Sequence, residues 1–123
     1  MVEKMKILLV DDDDLVRTVL AATLSDAGHE VMEAGDPHEA LGLPEALGPP
    51  DVLITDIDLR SQLNGFDVAS NAHHLWPKVR ILLISGLPAD HTGQSLDPRD
   101  HYMQKPFSAG RLLGAIEQLV NEA

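Results

Sequence analysis

The sequence predicts an α/β fold: a doubly wound, five-stranded parallel sheet covered by helices on both faces. Three observations carry that prediction. Short apolar runs alternate with segments of helical periodicity along the whole chain. The runs are continuously apolar rather than alternating, as strands buried on both faces are. Acidic, hydroxyl and basic residues fall just after those runs, at the edge where doubly wound sheets bind ligands.

The elements follow in order. Residues 7–10 form the first strand. Val16, Val19, Leu20, Thr23, Leu24 and Ala27 recur at helical spacing, and Gly28 stops that helix. Residues 30–34 form the second strand. Asp36 caps the next helix, with Pro37 in its first turn and Glu39 three residues on. Pro44 is expected to kink or shorten it. Residues 52–55 form the third strand. Phe66, Ala69, Ala72 and Leu75 mark a third helix, closed by Pro77, with Trp76 covering its base. Residues 80–84 and 101–103 are the fourth and fifth strands. Ser108 caps a last helix that turns Ala109, Leu112, Leu113, Ile116 and Leu119 inward.

Residues 86–101 are the weak segment. Leu87, Ala89 and Leu96 are nearly its whole apolar content, and Gly93 and Pro98 oppose a long helix. A short or mobile fourth helix of one or two turns is expected there.

Length and composition narrow the function. The 123 residues make one domain, residues 1–123, with room for a core but not for a second domain. Asp and Glu outnumber Lys and Arg by 20 to 9, a net charge of -11. Such a chain is repelled by nucleic acid and by anionic membranes, and suits a cation or a basic protein surface. The absence of cysteine excludes disulfides and thiol chemistry and agrees with a reducing cytoplasm. The opening apolar run is broken by four aspartates, too soon for a signal peptide or a membrane span.

The stretch "VLITDIDLR" ends a buried strand in Asp56 and Asp58, both on one strand face. Asp11, Asp12, Asp13 and Asp14 follow the first strand, Ser85-Gly86 the fourth and Lys105-Pro106 the fifth. Carboxylates crowded together raise one another's pKa, and a hard divalent cation relieves that repulsion. Oxygen-only ligands suit Mg²⁺, and no His or Cys pattern with zinc spacing competes. An aspartate beside such a metal can accept a phosphoryl group as an acyl phosphate. A lysine and a hydroxyl can then bind the new oxygens. Singly, each motif is ordinary: DDDD reads as a solvated helix start, Ser-Gly as a turn. Their arrival at four strand ends together is the signal.

In "ILLVDDDD", "VLITDIDL", "ILLISG" and "YMQKPF" the chain resembles the receiver domains of two-component response regulators, over essentially its whole length. The resemblance implies the flavodoxin-like strand order 2-1-3-4-5, which general accounts of doubly wound folds illustrate with a member of this family. It implies that Asp56 is the phosphoacceptor, charged by a sensor histidine kinase or histidine phosphotransfer protein. Asp12 would bind Mg²⁺ directly and Asp11 through water, joined by Asp56 and the backbone carbonyl of Asp58. Ser85 and Lys105 would hold the phosphate, Tyr102 would be the switch aromatic, and Lys105-Pro106 would be a cis peptide. The chain departs from the family in the loop "IDLRSQLNGFD", one residue longer than the commonest pattern and without its usual proline. With no DNA-binding segment after the last helix, output is expected to pass to a downstream protein target, unless the chain is one domain, such as the receiver of a hybrid kinase, cut from a longer protein. The expected activity is that of a switch, not of a turnover enzyme.

The strand ending Asp-x-Asp also resembles the start of haloacid-dehalogenase-like phosphatases, with Asp56 as nucleophile and Asp58 as general acid/base. In that family the metal-binding acids follow the lysine. Here Asp11 and Asp12 precede Asp56, and after Lys105 only Glu117 and Glu122 remain. His29, His38, His73, His74, His91 and His101 are scattered and read as surface or half-buried residues.

Overall fold

The computed structural model describes residues 3–87 and 96–121. Five strands, β1 (Lys6–Val10), β2 (Glu30–Ala34), β3 (Val52–Asp56), β4 (Arg80–Ser85) and β5 (His101–Gln104), form one sheet in the order 2-1-3-4-5. Every pairing is parallel. The helices are α1 (Asp14–Asp26), α2 (Pro37–Leu47), α3 (Gly65–Leu75) and α4 (Ala109–Asn121). The short helix expected between the fourth and fifth strands falls mainly on residues 88–95, outside the described residues.

Continuous apolar strands give two cores. Leu8, Val10, Leu53, Ile81 and Leu83 join Ala40 of α2 and Val68, Ala69 and Ala72 of α3. The alternate residues Ile7, Leu9, Ile54, Leu82 and Ile84 join Ala21 and Leu24 of α1 and Leu112, Ile116 and Leu119 of α4. The central strands β1, β3 and β4 are therefore covered on both faces, and the strand ends are where such a sheet binds ligands.

Several expectations about which face is buried need correction. On α1 the buried stripe is Ala21 and Leu24, while Val19 and Ala27 face solvent, as does Leu15. A window with apolar residues at 15, 16, 19, 20, 21 and 24 contains overlapping stripes, and only one of them can meet the sheet. On α3 Leu75 is exposed and Val68 is buried instead. Ala109 at the start of α4 is exposed. Pro44 does not shorten α2, which continues to Leu47 and ends at Gly48 with φ +89°. The proline forgoes one helical hydrogen bond but is itself buried, and its carbonyl accepts the Gly48 N–H at 2.9 Å. His29 is buried rather than half-exposed, because its Nδ1 accepts the Met5 N–H at 3.1 Å.

Candidate functional site

The tetrad at residues 11–14 divides its labour. Asp13 caps α1, its carboxylate accepting the N–H groups of Leu15 and Val16. Asp14 lies in the first turn, where acid favours the helix dipole, and pairs with Arg17 at 2.7 Å. That leaves Asp11 and Asp12 for the end of the sheet. Asp11 is fully buried, and its Oδ1 accepts the Asp13 N–H at 2.9 Å. Arg17 donates to the Asp11 carbonyl at 2.7 Å and so ties α1 to the end of β1.

Asp56 ends β3. Its Oδ1 accepts the Asp58 N–H at 3.2 Å, and its Oδ2 accepts Lys105 Nζ at 2.9 Å. The same ammonium reaches Asp11 Oδ2 at 3.4 Å. Carboxylate oxygens of Asp11, Asp12 and Asp56 all lie within 4.8 Å of one another. Burial raises the Asp11 carboxyl above its ordinary value; the Asp13 N–H and Lys105 work against that, and the Asp56 charge adds to it. Burial would lower Lys105, but its bond to Asp56 and the two carboxylate charges outweigh this and raise it. One ammonium thus serves two carboxylates. All the donors are oxygens, so the set fits a hard cation such as Mg²⁺.

Ser85 is buried at the end of β4; its carbonyl accepts the Lys105 N–H at 2.7 Å and its hydroxyl accepts the Leu87 N–H at 3.1 Å. The Tyr102 hydroxyl donates to the Leu87 carbonyl. One residue, Leu87, therefore joins the serine to the tyrosine. The Lys105–Pro106 peptide bond is cis. Asp58 is exposed, its carboxylate accepting the Arg60 N–H rather than meeting the acidic cluster.

Three contributions were not foreseen from the sequence. Gly65 opens α3 against the end of β3: a Cβ there would lie 2.4 Å from the Asp56 carbonyl oxygen. The capping box of Asn64 and Asp67 fixes that turn, a signal the sequence does hold. Arg60, at φ +48°, sets its Nε 3.2 Å from Asp12 Oδ2. Finally, His73 lies 2.8 Å from Asp100, with Asp97 beside them, in a second cluster away from the strand ends.

An acidic, lysine-bearing cluster at the carboxyl edge of a 2-1-3-4-5 parallel sheet defines the class of domain. Residues 7–117 match the family model described as response regulator receiver domain. The chain belongs to that family. It is 32% identical over 94% of its length to the DNA-binding transcriptional regulator NtrC of Azospirillum brasilense, and covers 24% of that protein. It is 33% identical over 94% of its length to the transcriptional regulatory protein PdtaR of Mycobacterium tuberculosis (H37Rv), and covers 57% of it. Among solved structures, a response regulator receiver protein of Sinorhizobium medicae aligns with a TM-score of 0.87 at 30% identity, over 97% of this chain and 96% of that one. The chemotaxis regulator CheY4 of Vibrio cholerae aligns at 0.82 with 26% identity, over 95% and 99%. The phosphatase alternative finds no support in these matches. No helix among the described residues is long and apolar enough to cross a membrane.

Proposed function

We propose that the domain is a phosphorylation-gated switch in which Asp56 accepts a phosphoryl group from a phosphohistidine of a sensor kinase or phosphotransfer protein. The observation that carries this is Lys105 Nζ held at 2.9 Å from Asp56 and 3.4 Å from buried Asp11. An Asp56 carboxylate oxygen attacks the phosphorus, the P–N bond breaks, and the imidazole nitrogen leaves with the electron pair. Lys105 donates to the incoming phosphate oxygens as they gain charge. Asp11, Asp12, Asp56 and the Asp58 carbonyl are the groups that would hold Mg²⁺, which when bound screens carboxylates from phosphate.

The switch lies in the Leu87 link. A phosphoryl group on Asp56 draws the Ser85 hydroxyl toward it as an O–H donor, and the side-chain rotation this takes carries Oγ away from the Leu87 N–H it now accepts. Losing that bond loosens Leu87, whose carbonyl holds Tyr102. The populations shift only because these contacts differ between the two states. Exposed Leu15 and Val19 follow the acidic tetrad on α1 and offer a donor protein an apolar surface beside the site. The charge of -11 favours a protein target over nucleic acid for this domain, and the cysteine-free composition suits the cytoplasm.

The test is labelling by a small phosphodonor with Mg²⁺, read by intact mass. Wild type gains one phosphoryl group and Asp56→Asn gains none; full labelling of the variant would sink the assignment.

A further inference from the structure

The longer loop after β3 carries a cation to the acidic cluster. Leu59 is buried in the core under α3, which anchors the loop. Arg60 follows in the left-handed region, φ +48°, a conformation uncommon for a long side chain. The Arg60 N–H bonds the Asp58 carboxylate at 3.3 Å, and its Nε meets Asp12 Oδ2 at 3.2 Å. The Arg60 side chain is 81% exposed and Asp12 only 18%. A solvated guanidinium thus touches a carboxylate that is mostly withdrawn from water.

We propose that Arg60 is a built-in counter-cation that competes with Mg²⁺ for Asp12 and so sets the metal affinity of the resting domain. This rests on reading the Asp11, Asp12 and Asp56 cluster as the Mg²⁺ site. Lys105 already serves Asp11 and Asp56, which leaves Asp12 as the acid without an ammonium. Arg60 supplies that charge when the metal is absent. When a divalent ion takes Asp12, the guanidinium is either displaced into water or left beside a like charge. Both outcomes weaken metal binding, and neither disturbs the core, because the guanidinium that moves is exposed. The loop after β3 is then a means of tuning how much Mg²⁺ the switch needs before it can be phosphorylated.

Calorimetric titration of the unphosphorylated full chain with Mg²⁺ at low ionic strength tests this. Arg60→Asn removes the charge and keeps a residue that tolerates the left-handed backbone. It is expected to bind Mg²⁺ about two- to fivefold more tightly than wild type, the scale of an exposed ion pair. Arg60→Lys keeps the charge and stays near wild type. Arg111→Asn removes one positive charge from exposed Arg111 of α4 and also stays near wild type. Affinity of Arg60→Asn equal to or below that of wild type overturns the proposal while leaving the metal site intact. An equal gain in Arg111→Asn overturns it too, since net charge would then be the cause. Absence of Mg²⁺ binding in the wild type overturns both this inference and the reading beneath it.

Discussion

Among the described residues, two places bring potential metal-ligand atoms of three side chains within 4.8 Å of one another, and they differ in how their charge is matched. On the flank of α3, each acid has its own base. Asp97 receives Arg99 through two side-chain bonds, at 3.0 and 2.7 Å, and Asp100 receives His73 at 2.8 Å. At the strand ends, by contrast, one lysine is divided between two carboxylates, and the third depends on an exposed arginine. The flank's acids are each paired from within the protein, although His73 Nδ1 is buried without a hydrogen-bond partner. An undermatched cluster is completed by something brought from outside, which is what a cation site requires.

The largest effect that would break this comparison is metal binding itself. Asp12→Asn should weaken Mg²⁺ binding by roughly tenfold or more, since affinity for hard cations follows the charge of the ligand set. Asp97→Asn should leave it unchanged. Equal losses in the two variants, measured by Mg²⁺ titration, would show that the clusters do not differ as argued.

The edge cluster also depends on backbone that the flank cluster does not need. A Cβ on Gly65 would lie 2.4 Å from the Asp56 carbonyl oxygen and 2.7 Å from Ile57 Cα, and neither of these main-chain atoms can rotate away. Gly65→Ala should cost about 3 kcal/mol, the upper range for overpacking, and displace the end of β3. Urea denaturation measures the first and Mg²⁺-dependent labelling the second; labelling at the wild-type rate would show the turn to be more compliant than its contacts imply.

His73→Ala should do the reverse. The Asp100 side chain is only 4% exposed and would lose its partner, at a cost of about 1–3 kcal/mol for a buried acceptor left unpaired. Because no catalytic group touches this pair, labelling by a small phosphodonor should match wild type. A stable variant with impaired labelling would tie the flank to the site.

The same contrast explains what the sequence could reveal. Strands buried on both faces are continuous apolar runs, so the centre of the sheet was legible from residues 7–10, 52–55 and 81–84, whereas the edge strand at 30–34 carries exposed Glu30 and Glu33. The acidic cluster was legible because strand ends converge whatever the loops do, which brings Asp11, Asp56 and Lys105 together from 94 residues of separation. Arg60 and Gly65 act through a positive φ and a close backbone approach, and periodicity encodes neither. His73 and Asp100 meet across 27 residues from a helix and a loop, with no spacing rule to announce them. Helix faces were read less well than helices: Val19 and Leu75 fit an apolar stripe, yet lie outside the one that meets the sheet.

The smallest effect concerns acidity at the flank. Burial raises the Asp100 carboxyl above its ordinary value, while the bond and charge of His73 pull the other way without cancelling it. A carboxyl whose pKa is higher in the folded chain binds its proton more readily there than in the unfolded chain. Ionised Asp100 therefore costs stability at neutral pH, and that cost is relieved as the pH falls through its raised pKa toward the unfolded value of about 3.9. Asp100→Asn has no such proton to take up. The difference in unfolding free energy, wild type minus variant, should accordingly shift in favour of wild type as the pH is lowered from neutrality. Urea denaturation of both proteins across that range measures it. A difference that stays flat, or moves toward the variant, would mean that His73 offsets the burial of Asp100 in full, and the flank would then be more completely matched than its geometry implies.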